Sequence, residues 1–210
     1  MLFRSRNLAP NGHVWLFKGA GRGKYVAIAV PQNEAFIRPD SAILPIKVPD
    51  ATPGIIKHYT RQDEQALLAK IRYNRLIDIF TGVVCYSLQN HYRTFVEGWG
   101  QTETDELYVG VDRKGAQYVF PVEAKGEREE LSIIQIEQDF AVGEKREFKG
   151  TVCRPIGAQF MANDVVALFE FGREGGKIGK VRERHYRLVP PEDITTADLQ
   201  GYQAQPLNGT

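Results

Sequence analysis

Asp105 and the triplet Glu123-Ala124-Lys125 carry the side chains in this sequence best suited to chemistry. Two carboxylates offer hard oxygen ligands, which magnesium takes in octahedral geometry while keeping several waters. The Ala124 backbone carbonyl is a third candidate ligand, and Glu64 a fourth from further upstream. Lys125 is not a ligand. It supplies a cation that positions or activates a water, or offsets charge on a pentavalent phosphorus. Phosphodiester hydrolysis suits such a set, because it requires no nucleophilic side chain.

These groups meet only if a hairpin brings them together. Leu107, Val109 and Val111 alternate with Glu106, Tyr108 and Gly110, which is strand period, and Tyr118 to Val122 is a second strand candidate. A two-residue turn at Lys114-Gly115 would force a long side chain to positive φ. Asp112-Arg113-Lys114-Gly115 instead suits a type I turn closed by a left-handed glycine. Asp112 then pairs with Ala116, Val109 opposes Val119, Leu107 opposes Pro121 and Asp105 opposes Glu123. Directly opposed residues share a face, and so does Lys125, two positions along. That face is apolar except at one end, where Asp105, Glu123 and Lys125 gather.

A helix is predicted ahead of the hairpin. Thr60 and Asp63 give a capping-box-like start, and Leu67, Leu68, Ile71, Ile79 and Phe80 a continuous apolar stripe as far as a C-cap at Gly82. Glu64 shares that stripe's face, whereas Gln62 and Asp63 do not. Val83 to Asn90 and His91 to Gly98 read as two strands or one bent strand. After Lys125 a charged loop, Gly126 to Glu130, leads to a helix over Leu131 to Val142 with Ile133, Ile134, Ile136 and Phe140 buried. Gln135 and Gln138 are its candidates to lean toward the charged end of the hairpin. Thr151 to Phe160 and Val165 to Gly172 are strands, Arg173 to Gly176 a turn, and Lys177 to Val189 a basic strand. The N-terminal residues 1–58 are β-rich, with strands over His13 to Phe17, Tyr25 to Val30 and Ala42 to Val48. Residues 191–210 form a polar tail with a short helix.

Composition narrows the function classes. A chain of 210 residues makes one domain with a possible subdomain, and a net charge of +1 gives no general attraction to polyanions. Any nucleic-acid surface is then local, with Arg4, Arg6, Lys18, Arg22 and Lys24, or the basic strand from Lys177 to Arg187, as candidates. Cys85 and Cys153 sit in apolar runs and read as reduced core residues of a cytoplasmic protein, not as nucleophiles paired with His91 or His185. The four histidines lack zinc-ligand spacing, and no stretch has the roughly 20 apolar residues of a membrane span. A glycosidase carboxylate pair is disfavoured by the adjacent lysine.

The Asp105, hairpin, Glu123-Ala124-Lys125 pattern resembles the PD-(D/E)xK motif of the restriction-endonuclease-like nuclease superfamily. The order helix, strand, hairpin, helix, strand over roughly 60–171 resembles that family's αβββαβ core. The resemblance implies an α/β fold with a central mixed sheet flanked by helices, a nuclease-like core over 59–190, and a magnesium-dependent endodeoxyribonuclease in which manganese substitutes. It implies catalytic roles for Asp105, Glu123, Lys125, Glu64 and Gln135, the last matching a glutamine some members place on the following helix. Thr104 stands where the family's proline would be, and the spacing from Asp105 to Glu123 is longer than in the shortest members. Cleavage of both strands of DNA favours a restriction-type homodimer. The alternatives are a structure-selective repair or recombination nuclease, and an inactive nucleic-acid-binding or interaction module.

Overall fold

The structure, a computed structural model, describes residues 8–21, 23–59 and 64–204. The helix start at Thr60 to Asp63 with Gln62, and the cations Arg4, Arg6 and Arg22, lie outside them.

The hairpin forms in the expected register. Strand β6 (Gly100–Val111) pairs antiparallel with β7 (Gln117–Lys125), with Val109 opposite Val119 and Leu107 opposite Pro121. The turn closes by Asp112 N–H to the Ala116 carbonyl (3.0 Å) and Gly115 N–H to the Asp112 carbonyl (3.0 Å), with Gly115 at φ +83°. The Asp112 carboxylate also accepts from the Lys114 and Ala116 amides, which explains aspartate at this turn position. The next strand out, β5 (Val84–Val96), is one bent strand with a register shift at Ser87/Gln89 and His91 at φ +47°.

The remaining strands extend the sheet on the other side of β7. They are β9 (Val152–Cys153), β10 (Ile156–Met161), β11 (Val165–Glu174), β12 (Lys177–Val189) and β4 (Ile46–Pro49). Among the described residues the order is β4-β12-β11-β10-β7-β6-β5, with β9 also beside β7. β10 and β9 run parallel to β7, and β4 parallel to β12; the other neighbours are antiparallel. The fold is therefore mixed α/β around a mixed central sheet. Pro121 survives inside a central strand because of a gap. Its missing N–H faces Arg154-Pro155, between the pairs Val119↔Cys153 and Val122↔Ile156, where no ladder bond is required.

Helices cover both faces of the sheet. On one lie α3 (Glu64–Tyr73) and α4 (Leu76–Thr81), whose Leu67, Leu68, Ile71, Leu76, Ile77 and Phe80 pack on Phe120, Val122, Ala124, Ile156 and Ala158. This corrects the single-helix expectation. The chain breaks at Asn74-Arg75, with Arg75 left-handed at φ 52°, and the break re-phases the stripe. Leu76 and Ile77 are buried in consequence and Ile79 is half exposed. Gly82 is the C-cap as expected, left-handed at φ 70° with its N–H on the Asp78 carbonyl.

On the other face lies α5 (Ile133–Gly143). It starts two residues later than expected, because Leu131–Ser132 (β8) pair with Phe36–Ile37 (β3) and Ser132 becomes the N-cap. Ile134, Ile136 and Phe140 are buried and Ile133 is half-buried. Strand bounds elsewhere shift by a few residues: the strand expected over Ala42 to Val48 forms only from Ile46, and β11 runs on to Glu174 before a Gly175-Gly176 turn.

The N-terminal region forms a separate two-stranded ribbon, β1 (His13–Gly19) with β2 (Tyr25–Pro31), followed by the short helix α1 (Gln32–Ala35). Two further short helices, α2 (Gly54–Tyr59) and α6 (Thr196–Ala204), flank the sheet's β4 side. No helix among the described residues is long and apolar enough to cross a membrane.

Candidate functional site

The β6–β7 ladder ends at Glu106↔Val122. The next β7 amide that faces β6, Ala124 N–H, donates instead to the Asp105 carboxylate at 2.8 Å. A side chain thus takes the place of a backbone acceptor where the two strands part. Glu123, nearly fully buried, and Lys125 follow on the face that α5 covers.

Lys125 links the two layers of the molecule. Its ammonium lies 3.9 Å from Glu123 Oε2 and 3.3 Å from Glu64 Oε1, at the first residue of α3. The expected inward lean of Glu64 is seen in this contact, although its side chain remains 37% exposed. Gln135 reaches the site from α5, its Nε2 donating to Glu123 Oε2 at 2.6 Å. Its Oε1 accepts from Ser132 N–H at 3.2 Å, completing a capping box. The cap fixes which end of the amide faces Glu123. A glutamate here would cap equally well but set a like charge against Glu123. Gln138 turns elsewhere, to the Glu103 carbonyl at 2.9 Å.

One participant was missed. Asp139, four residues after Gln135, has no exposed surface. Its Oδ1 accepts from the equally buried Thr104 hydroxyl at 2.8 Å, and its Oδ2 has no hydrogen-bond partner among the described residues. Burial pushes its carboxyl up to about 8, Asp105 adds to the rise, and the Thr104 hydrogen bond and Lys125 oppose it. The signal was its position: an aspartate between Ile136 and Phe140, on the same helix face as Gln135.

The electrostatics follow from crowding. Burial raises Glu123 well above the usual carboxylate range, Asp139, Asp105 and Glu64 raise it further, and Lys125 pulls it down. Burial works to lower Lys125, but Glu123, Asp105 and Glu64 outweigh it and hold the ammonium above its usual value. Lys125 is therefore a fixed cation while those acids are ionised.

Four carboxyl groups around one lysine make a hard, oxygen-rich locus, the donor chemistry a magnesium ion takes. Among the described residues no three His, Cys, Asp or Glu side chains close on a common point as a metal cage. Magnesium does not require one, since it commonly uses one or two protein carboxylates and fills its shell with water and substrate phosphate. The donor set fits on that basis.

Glu106, next to Asp105, points to the opposite face. It is fully buried and accepts from Arg72 Nε (3.0 Å) and the Ser87 hydroxyl, so it ties α3 to the sheet rather than joining the site. A cleft of about 580 Å³ opens beside Glu64, lined by Glu127, Arg128, Glu129, Asn163 and Asp164 among others.

Several cations of the basic strand are engaged within the fold, while Arg187 Nε is buried without a hydrogen-bond partner among the described residues. Lys180 pairs with Glu183, Arg182 binds the Phe80 carbonyl, and Arg184 binds the Glu183 carbonyl. Cys85 and Cys153 contribute to apolar clusters, and burial pushes their thiols up to about 11 and about 12. His91 and His185 pair with Glu103 and Glu183.

Searches of family models, curated proteins and solved structures return no match to this chain.

Proposed function

We propose that this chain is a magnesium-dependent DNA endonuclease of the PD-(D/E)xK type. The observation that carries the reading is the convergence on Lys125 and Glu123 of groups from four elements: Asp105 from β6, Glu123 and Lys125 from β7, Glu64 from α3 and Gln135 from α5. The element order supports it too. Helices, a three-strand antiparallel meander, a covering helix and a strand parallel to the meander's last member is the αβββαβ order of the resemblance.

Asp105 and Glu123 would hold the cation, with the Ala124 carbonyl and Glu64 as further oxygen donors. Bound there, magnesium supplies Lewis acidity toward a phosphoryl oxygen and lowers the pKa of a coordinated water. The chain's own residues do the rest. Gln135 fixes the Glu123 carboxylate in one orientation. Lys125, held above its ordinary value by Glu123, Asp105 and Glu64, would stay charged and offset negative charge building on phosphorus, an electrostatic role rather than that of a general base. Cutting both strands of a duplex would call for a homodimer with one site per strand.

The test is nicking of supercoiled plasmid in magnesium. Wild-type protein is expected to nick, and Glu123→Ala or Lys125→Ala to lower the rate by at least ~100-fold, the scale of losing one electrostatic group at such a centre. No nicking by wild type, or undiminished nicking by either variant, removes the reading.

A further inference from the structure

The β1–β2 ribbon has two unlike faces. Val14, Leu16, Ile28 and Val30 form the inner one and pack with Ile133 and Ile134 at the start of α5, and with Trp99. The tip is held as well: Gly21 N–H donates to the Trp99 carbonyl at 3.0 Å, and a Cβ on Gly100 would lie 2.9 Å from Gly21 Cα. Lys18 bridges the ribbon to Glu137 of α5 at 3.0 Å and sits 4.2 Å over the Trp99 ring. The ribbon is thus fixed against the helix whose Gln135 touches Glu123.

The outer face follows from the register. Phe17 pairs with Ala27, Gly19 with Tyr25 and Trp15 with Ala29, so these residues share one side. Phe17 and Tyr25 are 57% and 72% exposed, on a diagonal, with only alanine and glycine between them. Exposed aromatics of this kind cost free energy in water, which covering them would recover.

The charge pattern says what covers them. Five of the chain's 27 lysines and arginines, and none of its 26 acids, precede Glu34. The rest of the chain therefore carries four more acids than cations. A ribbon with exposed rings, in a 33-residue stretch without a carboxylate, suits a polyanion that presents ring faces. Unpaired nucleic acid does so, because its bases can stack on aromatic side chains while cations follow the phosphates; in a duplex the base faces are already stacked.

We infer that the outer face of the β1–β2 ribbon is a stacking platform for single-stranded DNA, with Phe17 and Tyr25 as the base contacts. This deepens the nuclease reading and rests on it for the identity of the ligand. It directs the site toward branched, frayed or unpaired substrates, the structure-selective alternative.

Binding can be tested without turnover. Fluorescence anisotropy in EDTA, with a labelled mixed-sequence oligonucleotide about 15 nucleotides long, is expected to show salt-sensitive binding, tighter than to the matching duplex. Phe17→Ala/Tyr25→Ala, verified as folded by its melting curve, is expected to bind the single strand at least ~10-fold more weakly and the duplex within about two-fold. Equal single-strand binding by wild type and variant overturns the inference, and so does absence of oligonucleotide binding by wild type, which leaves a protein as the occupant. The two readings fail separately. Aromatic-dependent binding without plasmid nicking sinks only the nuclease, whereas nicking with unchanged binding by the variant sinks only the platform.

Discussion

Asp139 shows how much one buried carboxyl can do at a distance from solvent. In the folded chain it holds its proton up to about 8, against an ordinary value of 3.8. The folded state therefore binds more protons than the unfolded state between those values, and stability falls as pH rises through that window. Above about 8 the slope from this group ends. Asp139→Asn keeps an acceptor for the Thr104 hydroxyl and cannot titrate. Melting temperatures at pH 5 and pH 8.5 should differ by several degrees less in this variant than in wild type; equal differences would contradict the assignment. Glu123 contributes a slope of the same sign, so the variant's curve is flatter rather than flat. At this scale the sequence was legible where spacing carries the information. Glu123 and Lys125 follow from strand period and turn type, and Glu64 from helical spacing, but the expected Asp105–Glu123 pair does not form: the ladder ends at Glu106↔Val122 and the Asp105 carboxylate turns to the Ala124 amide. Asp139 was missed, because its position between Ile136 and Phe140 signals burial while its residue type signals exposure, and periodicity alone does not decide between them.

Helix α5 has to stay close to β7 for Gln135 to reach Glu123, and a glycine sets that distance. A Cβ on Gly143 would lie 2.1 Å from Cys153 Sγ, 2.6 Å from Cys153 Cβ and 3.6 Å from Val119 Cγ1. The first two contacts belong to a strand residue that cannot swing clear. Gly143→Ala should cost about 1–3 kcal/mol, read as a lower urea midpoint at unchanged m-value. Adding Cys153→Ala removes the sulfur and should restore part of the loss, a non-additivity expected only of residues in contact. A Gly143→Ala protein as stable as wild type would mean that α5 is not clamped there. The meander, the Gly82 cap and the position of α5 were readable from period and capping signals. The break at Asn74-Arg75 was not, since neither residue is a helix breaker by type. It persists because packing of Leu76 and Ile77 outweighs one left-handed arginine, a cost of roughly 1–2 kcal/mol.

The whole molecule places its chemistry at the end of a sheet covered by helices on both faces. The apolar face under α3 and α4 is continuous, whereas the face under α5 turns polar toward Asp105, Glu123 and Lys125. Such a layout sets these charges where two strands part, with Glu64 partly exposed and Glu123 and Asp139 buried behind it at a desolvation cost. Charge is uneven along the chain as well: the ribbon carries no acid, whereas the cleft beside Glu64 is lined by Glu127, Glu129 and Asp164 together with Arg128. The sequence exposed the first half of that contrast as a run of cations. Its docking on α5 depends on long-range contacts of Leu16 with Ile134 that no local pattern encodes.

A crystal soaked with manganese tests most directly whether these carboxylates bind a divalent cation. The account predicts an anomalous peak within about 2.0–2.3 Å of carboxylate oxygens of both Asp105 and Glu123. An ordered manganese ion elsewhere, with none at these two residues at saturating concentration, would contradict it.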